Sequence, residues 1–520
     1  MKKKFLPIGI QYFGHIYEGN YVYVDKTEQI FRLAEGIGAL YFLSRPRRFG
    51  KSLLVSTLKE LFSGSKDLFQ GLWIEDKWDW AKTNPVIHLS FDAINYREVG
   101  LEAALQSRIE AIAQDHGIEL VEHYDTSKFG QLIKKLSEKE GNVVILVDEY
   151  DKPIIDYLEK DQYPKAKENQ KIMKSFYSVL KPLSNHIRLL FITGVSKFSK
   201  VSIFSDLNHL DDLTLQKDYA TLTGYTQQEL ELYFGDYLKE AENYLGIDRT
   251  KLLDQLRLWY NGYSWNGKDR VYNPFGVLRF LSNLRFDNYW FATGTPSFLL
   301  EQMKRHSNFA VENTEIRNRK LEKYTIENID LVPLLFQTGY LTIKSINPLE
   351  AKMVLDYPNL EVRESMYHFI IDGMTSNTSV LGTSQDTVET LTDAFLDADL
   401  DEIKAGLNTL LASLPSEVFD KKSEGLYHGL IHLTFQLLGL HIKSESHSAK
   451  GRADALVETS DHVFIFEFKF NRTAKEALEQ IKDNKYAVPY LNSGKKVLAI
   501  GVNFVTKEKE IKGWEVDALD

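Results

Sequence analysis

The chain contains no cysteine, which excludes disulfides, thiolate zinc sites and a cysteine nucleophile, and fits a reducing compartment. Long apolar runs are missing too: none approaches the roughly 18 residues that a membrane span needs. The opening Met1-Lys2-Lys3-Lys4 imitates a secretory leader, but Phe5–Gln11 loses its apolar character too soon for one. A cytoplasmic protein without a membrane is therefore expected. Neither charge sign dominates, and the formal net charge of −10 argues against wholesale coating of nucleic acid while leaving room for a local basic cleft. What is present suits ordinary globular folding: 43% hydrophobic and 26% charged residues over 520 positions, enough for about three domains.

Phosphate chemistry is written first into the run Arg45-Pro46-Arg47-Arg48-Phe49-Gly50-Lys51-Ser52. A short apolar strand, Ala39–Leu43, precedes it, and Leu53, Leu54, Thr57, Leu58, Leu61 and Phe62 follow at helical spacing. Strand, tight loop and helix form the setting in which helix N-terminal amides hold an anion. Lys51 would reach the β- and γ-phosphates, and the Ser52 hydroxyl would ligate Mg²⁺. The general pattern calls for glycine where Arg45 stands.

A second signal is Val143–Val147, a continuous apolar run expected to be a strand buried on both faces, ending in Asp148-Glu149. Carboxylates at that strand end sit where open α/β sheets bind ligands. Asp148 suits Mg²⁺ and Glu149 an attacking water. Pro85–Phe91 and Arg188–Ile192 read as further strands, and helices are expected from about Leu101, from Phe129 and over Asn169–Leu183. Thr193 and Ser196 are candidates for sensing the γ-phosphate, although a Thr-Gly turn explains them equally well.

Together with Tyr23-Val24-Asp25-Lys26-Thr27 and Val147-Asp148-Glu149-Tyr150-Asp151, the Arg-rich loop resembles the bacterial AAA-ATPase-like family over roughly the first 220 residues. In that family the loop lacks the first glycine. The resemblance implies an ATP site built from Arg45, Arg47, Arg48, Phe49, Gly50, Lys51, Ser52, Leu53 and Asp148. It also implies that the Tyr23–Thr27 segment helps shape that pocket, the alternative being a strand and helix cap.

Beyond Thr226-Gln227-Gln228-Glu229, a capping box, helical and turn signals suit a helical lid or winged-helix region over 226–375, rich in aromatic corners such as Trp259–Tyr263. A Ser/Thr/Asp-rich linker is expected over 376–399, although Val388–Ala394 could begin a helix. In the last domain, 400–520, the run Val463–Phe470 puts four phenylalanines on one face and Val463, Ile465, Glu467 and Lys469 on the other. That second face starts apolar and ends charged, which in a buried strand calls for pairing or a metal. Asp454 lies at the start of a neighbouring strand and could share Mg²⁺ with Glu467.

This Asp…Glu-x-Lys set resembles the PD-(D/E)XK nucleases over roughly 421–505. That likeness adds Glu424, on an expected helix Glu424–Leu438, as an accessory acidic residue, and Gln480, on an expected helix Ala474–Tyr486. His428, His432, His441 and His447 match no compact metal motif. The whole therefore reads as an α/β protein: a P-loop ATPase core (1–225), the middle region, and a restriction-endonuclease-like α/β domain. ATP and Mg²⁺ are the expected cofactors and nucleic acid, DNA in preference, the expected partner; a homo-oligomer is allowed. The implied activity is ATP hydrolysis coupled to nucleic-acid cleavage. The alternative is a nucleotide-dependent switch whose nuclease-like fold binds without cutting.

Overall fold

A computed structural model describes residues 3–121, 127–197, 203–204, 207, 209–291, 311–317, 320–321, 330–374, 384–412, 431–439 and 453–519. The chain divides into two compact units, one holding Met1–Phe298 and Val311–Val362, the other holding Arg363–Asp520 together with Leu299–Ala310.

The first unit is organised by a parallel sheet. Its strands are β1 (Ala39–Ser44), β2 (Val86–Ser90), β3 (Val143–Asp148), β4 (Ile187–Gly194) and the two-residue β5 (Asp211–Asp212), in the order β2-β3-β4-β1-β5. Every residue of β3 is buried, as expected of a strand covered on both faces. Because β4 lies between β1 and β3, the loop after β1 and the carboxylates after β3 end on one edge of the sheet, one strand apart. The helix Lys51–Phe62 buries Leu54, Val55, Leu58, Leu61 and Phe62, the face set by the 3.6-residue period. Helices Leu101–Asp115 and Lys128–Glu140 begin where expected.

The long helix between β3 and β4 differs from expectation. It spans Tyr163–Ser178 rather than Asn169–Leu183. Pro164 lies in its first turn, where the missing N–H costs nothing, and Pro182 biases Lys181 away from helical geometry and cuts off the expected end.

The Thr226 capping box is present: Thr226 Oγ1 accepts from Glu229 N, and Glu229 Oε2 accepts from Thr226 N. Helices Gln227–Tyr233, Gly235–Leu245, Arg249–Tyr260 and Pro274–Asn283 pack around Leu230, Leu238, Leu256, Tyr260 and Phe280. A small antiparallel sheet follows, with β6 (Thr314–Arg317), β7 (Thr342–Asn347) and β8 (Lys352–Asp356) in the order β6-β8-β7. Tyr260, Tyr263 and Tyr272 are buried corners, not exposed stacking platforms.

Within the segment expected to be a linker, the described residues hold a helix over Ser384–Leu396, in line with the helix allowed over Val388–Ala394. Ser384–Leu396 buries Val388, Leu391 and Phe395, and Leu400–Ala412 packs beside it. Apolar residues spaced 3 and 4 apart carried the helix through a Ser/Thr/Asp-rich composition. In the second unit the strands are β9 (Ala455–Glu458), β10 (His462–Phe470), β11 (Lys496–Val505) and β12 (Glu510–Leu519), ordered β12-β11-β10-β9. Only β10 and β11 are parallel, joined through the helix Ala474–Asp483, which ends three residues before the expected Tyr486. Val463 and Ile465 pack on Ile481, whereas Phe464 and Phe466 meet Phe395, and Phe466 also meets Trp514. The two-face reading of β10 holds.

Candidate functional site

Two clusters of side chains bring candidate residues together. The first sits at the carboxyl edge of the parallel sheet, around a cleft of about 450 Å³ lined by Arg47, Arg48, Gly50, Lys51, Ser52 and Glu149, among others. Gly50 caps the helix in the left-handed conformation at φ 86°, a conformation glycine adopts without strain. Among the described residues, no acceptor engages the N–H groups of Phe49, Gly50, Lys51 or Ser52. Free amides at a helix start, with Lys51 and Ser52 beside them, are an anion cradle.

Lys51 is buried, and its ammonium donates to Pro46 O at 3.0 Å. Desolvation pulls its pKa down, opposed by Glu149, then Asp148 and Asp151. Burial pushes the Asp148 carboxyl up, opposed first by the Ser52 hydroxyl and then by Lys51. Among the described residues Asp148 Oδ1 has no hydrogen-bond partner. A buried, unpartnered carboxylate oxygen next to a serine hydroxyl is a donor set suited to Mg²⁺. Glu149 adopts a left-handed backbone at φ 54° and faces the cleft, a conformation that costs a bulky residue about 1 kcal/mol or more. Burial raises its pKa as well.

Arg45 corrects the reading of the loop. Its side chain is fully buried and points away from the cleft, donating from Nη1 to Ser44 O (2.9 Å) and Thr214 O (2.9 Å) and from Nη2 to Tyr219 O (3.0 Å). The guanidinium also lies 4.0 Å over the Trp265 ring. Burial pulls its pKa down to about 9. Arg45 therefore anchors the root of the loop and is not a ligand-facing group. Phe49 packs on Tyr263 and Trp265 and borders a second, apolar slot of about 80 Å³ together with Val22, Leu53, Leu222 and Tyr225.

At the tip of β4, Thr193 Oγ1 donates to Leu43 O at 2.9 Å, so it ties two strands together. Ser196 is held by Asp151, a residue given no role from the sequence. Asp151 Oδ2 accepts from Val195 N (3.1 Å), Ser196 N (2.6 Å) and Ser196 Oγ (2.8 Å). Those bonds lower the Asp151 pKa while burial, the larger influence, raises it. The Tyr23–Thr27 segment is a clasp. Asp25 accepts from Thr27 N and Oγ1 and from Trp73 N, while Lys26 Nζ bonds Glu229 and Thr221 O. Its Tyr23, Val24 and Lys26 also border the apolar slot.

The second cluster lies on β9, β10 and the helix Ala474–Asp483. Antiparallel pairing sets Ala455 opposite Phe466, which brings Asp454 to Glu467, and Asp454 Oδ2 accepts from Phe468 N at 2.8 Å. Lys469 Nζ donates to Glu467 Oε1 (3.0 Å) and to Gln480 Oε1 (2.6 Å); Gln480 Nε2 donates to Glu467 Oε1. Among the described residues Glu467 Oε2 is buried without a partner. Burial and then Asp454 raise the Glu467 pKa against Lys469. Asp454, Glu467, Lys469 and Gln480 thus converge as the sequence pattern suggests. Glu424, His428, His441 and His447 lie outside the described residues, and His432 is exposed. Among the described residues no three His, Asp or Glu side chains are grouped to hold a metal.

Strand order, free-amide loop and acidic strand end define a P-loop ATPase core, and the second sheet with its Asp, Glu and Lys defines a nuclease-superfamily fold. The chain belongs to the AAA-ATPase-like family: the family model described as Predicted AAA-ATPase matches residues 7–204, and that of the PD-(D/E)XK nuclease superfamily matches 422–514. A protein of Azotobacter chroococcum mcd 1, described as an uncharacterized protein in the vnfD 5' region, is 38% identical over 533 residues, covering 100% of both chains. No helix among the described residues is long and apolar enough to cross a membrane.

Proposed function

We propose that the first unit binds and hydrolyses ATP with Mg²⁺, and that the C-terminal domain is a Mg²⁺-dependent nuclease acting on DNA under control of the nucleotide. The observation that carries the nuclease reading is the buried, unpartnered Glu467 Oε2 in the midst of Asp454, Lys469 and Gln480. A buried carboxylate oxygen left without a partner costs stability, and a bound metal would offset that cost.

In the ATPase unit the loop amides and Lys51 bind the β- and γ-phosphates, the apolar slot beside Phe49 accommodates the base, and Glu149 orients the attacking water. Ser52 and Asp148 would hold the metal. In the nuclease domain Asp454 and Glu467, with Glu424, would hold a metal, Lys469 faces the developing charge on phosphorus, and Gln480 fixes the Lys469 ammonium. Bound Mg²⁺ supplies Lewis-acid stabilisation of phosphate charge and a more acidic water. The test is cleavage of single- and double-stranded DNA with ATP and Mg²⁺. Undiminished cutting by Glu467→Ala and Lys469→Ala sinks the nuclease reading, and ATP-dependent DNA binding without any cut establishes the switch instead.

A further inference from the structure

The phosphate loop carries a hydrogen bond that none of the ATPase motifs accounts for. Trp290, in the middle region, donates from its indole Nε1 to Arg47 O at 3.0 Å, across 243 positions of sequence. Trp290 is 5% exposed and packs on Tyr340 and Tyr263. Its own backbone N–H is accepted by Glu361 Oε1, and Glu361 is fully buried at the start of the helix Leu360–Met374. Gly339 lies against Trp290 and against Pro46, the loop residue before Arg47: a Cβ there would stand 2.7 Å from Pro46 and 3.3 Å from the Trp290 ring. The middle region therefore presses on Pro46 and grips Arg47, the two loop residues next to the buried Arg45.

A peptide plane sets the N–H of one residue opposite the C=O of the one before. Holding Arg47 O on Trp290 thus fixes the direction of the Arg48 N–H, in a loop that lacks the general pattern's first glycine. Arg48 itself has a left-handed backbone at φ 64°, a conformation that needs outside support in a non-glycine residue. We propose that Trp290, aligned by Glu361, is a positioning residue for the phosphate loop, setting its amides for the β- and γ-phosphates of ATP. This rests on the ATPase reading above.

The experiment measures ATP and AMP dissociation constants and melting temperature for the wild-type chain, Trp290→Phe, Glu361→Ala and Glu361→Gln. Trp290→Phe keeps the ring and deletes the donor; it is expected to weaken ATP about tenfold, the effect of one buried hydrogen bond, and to leave AMP, with neither β- nor γ-phosphate, within about twofold. Glu361→Ala is expected to repeat the selective loss of ATP affinity and Glu361→Gln, which keeps an acceptor oxygen, to restore most of it. Should one variant fail to fold, the other decides by the same ATP-to-AMP ratio. Folded variants with wild-type ATP affinity, or with ATP and AMP weakened alike, overturn the role of Trp290. Absence of ATP binding by the wild-type chain overturns the ATPase reading and this inference with it.

Discussion

Asp151 grips Ser196 twice, accepting from its backbone N–H at 2.6 Å and its hydroxyl at 2.8 Å. The contact ties the segment after β3 to the tip of β4, and both flank the cleft. Gly194 permits the approach, since a Cβ there would meet Asp151 Oδ1 at 2.5 Å.

Asp151→Asn keeps the shape but weakens the charge-assisted bonds to Val195 and Ser196. We expect a stability loss of about 2 kcal/mol and a fall in ATP turnover of roughly tenfold. Urea unfolding and phosphate release measure the two. Unchanged turnover with lost stability would confine Asp151 to the fold.

Arg45→Gly restores the general phosphate-loop pattern and is expected to harm the protein. Three carbonyls would lose a donor and Trp265 its cation. A loss of about 3 kcal/mol follows from such buried bonds. Arg45→Lys should not rescue it, because an ammonium cannot reproduce the guanidinium fork. Thermal unfolding monitored by tryptophan fluorescence checks both.

Glu361 inverts the usual pH dependence of a carboxylate. Burial pushes its pKa up to about 8 from an ordinary 4.5, with the Trp290 and Phe291 N–H groups opposing. The folded chain therefore holds a proton that the unfolded chain releases. Its contribution to stability is complete below about pH 4.5 and is lost as pH rises through about 8. Denaturant midpoints between about pH 6 and about pH 9 should fall more steeply for the wild type than for Glu361→Gln. Parallel curves would refute this.

Gly501→Ala is expected to separate the two proposed activities. A Cβ on β11 would come 2.2 Å from Ala474 O and 2.7 Å from Leu478 N, both backbone atoms of the helix that carries Gln480. Overpacking against backbone should cost about 3 kcal/mol or more. DNA cleavage is expected to be lost while ATP binding persists, and limited proteolysis should show the C-terminal domain opening first. Loss of both together would show one cooperative unit.

Local signals carried much of the site. Helical period after Gly50, the apolar β3 ending in acid and the two-faced β10 were all readable, because each depends on residues near in sequence. Less visible was the helix Ser384–Leu396, whose buried Val388, Leu391, Ala394 and Phe395 lie among Ser, Thr and Asp, residues that favour loops. The ends of the Tyr163–Ser178 helix were set by Pro164 and Pro182, a signal present in the sequence but outweighed there by the apolar pattern.

By itself the sequence determined which residues could do phosphate chemistry, and along which strands and helices they lie, since period and composition act over one or two turns. Only the tertiary structure decided where the side chains turn. Arg45, placed by its motif at the ligand, goes into the core because the carbonyls of Thr214 and Tyr219, 169 and 174 positions away, offer what a buried guanidinium requires. The grip of Trp290 on Arg47, the hold of Asp151 on Ser196 and the meeting of Asp454 with Glu467 likewise depend on which segments the fold brings together, and no local pattern encodes that.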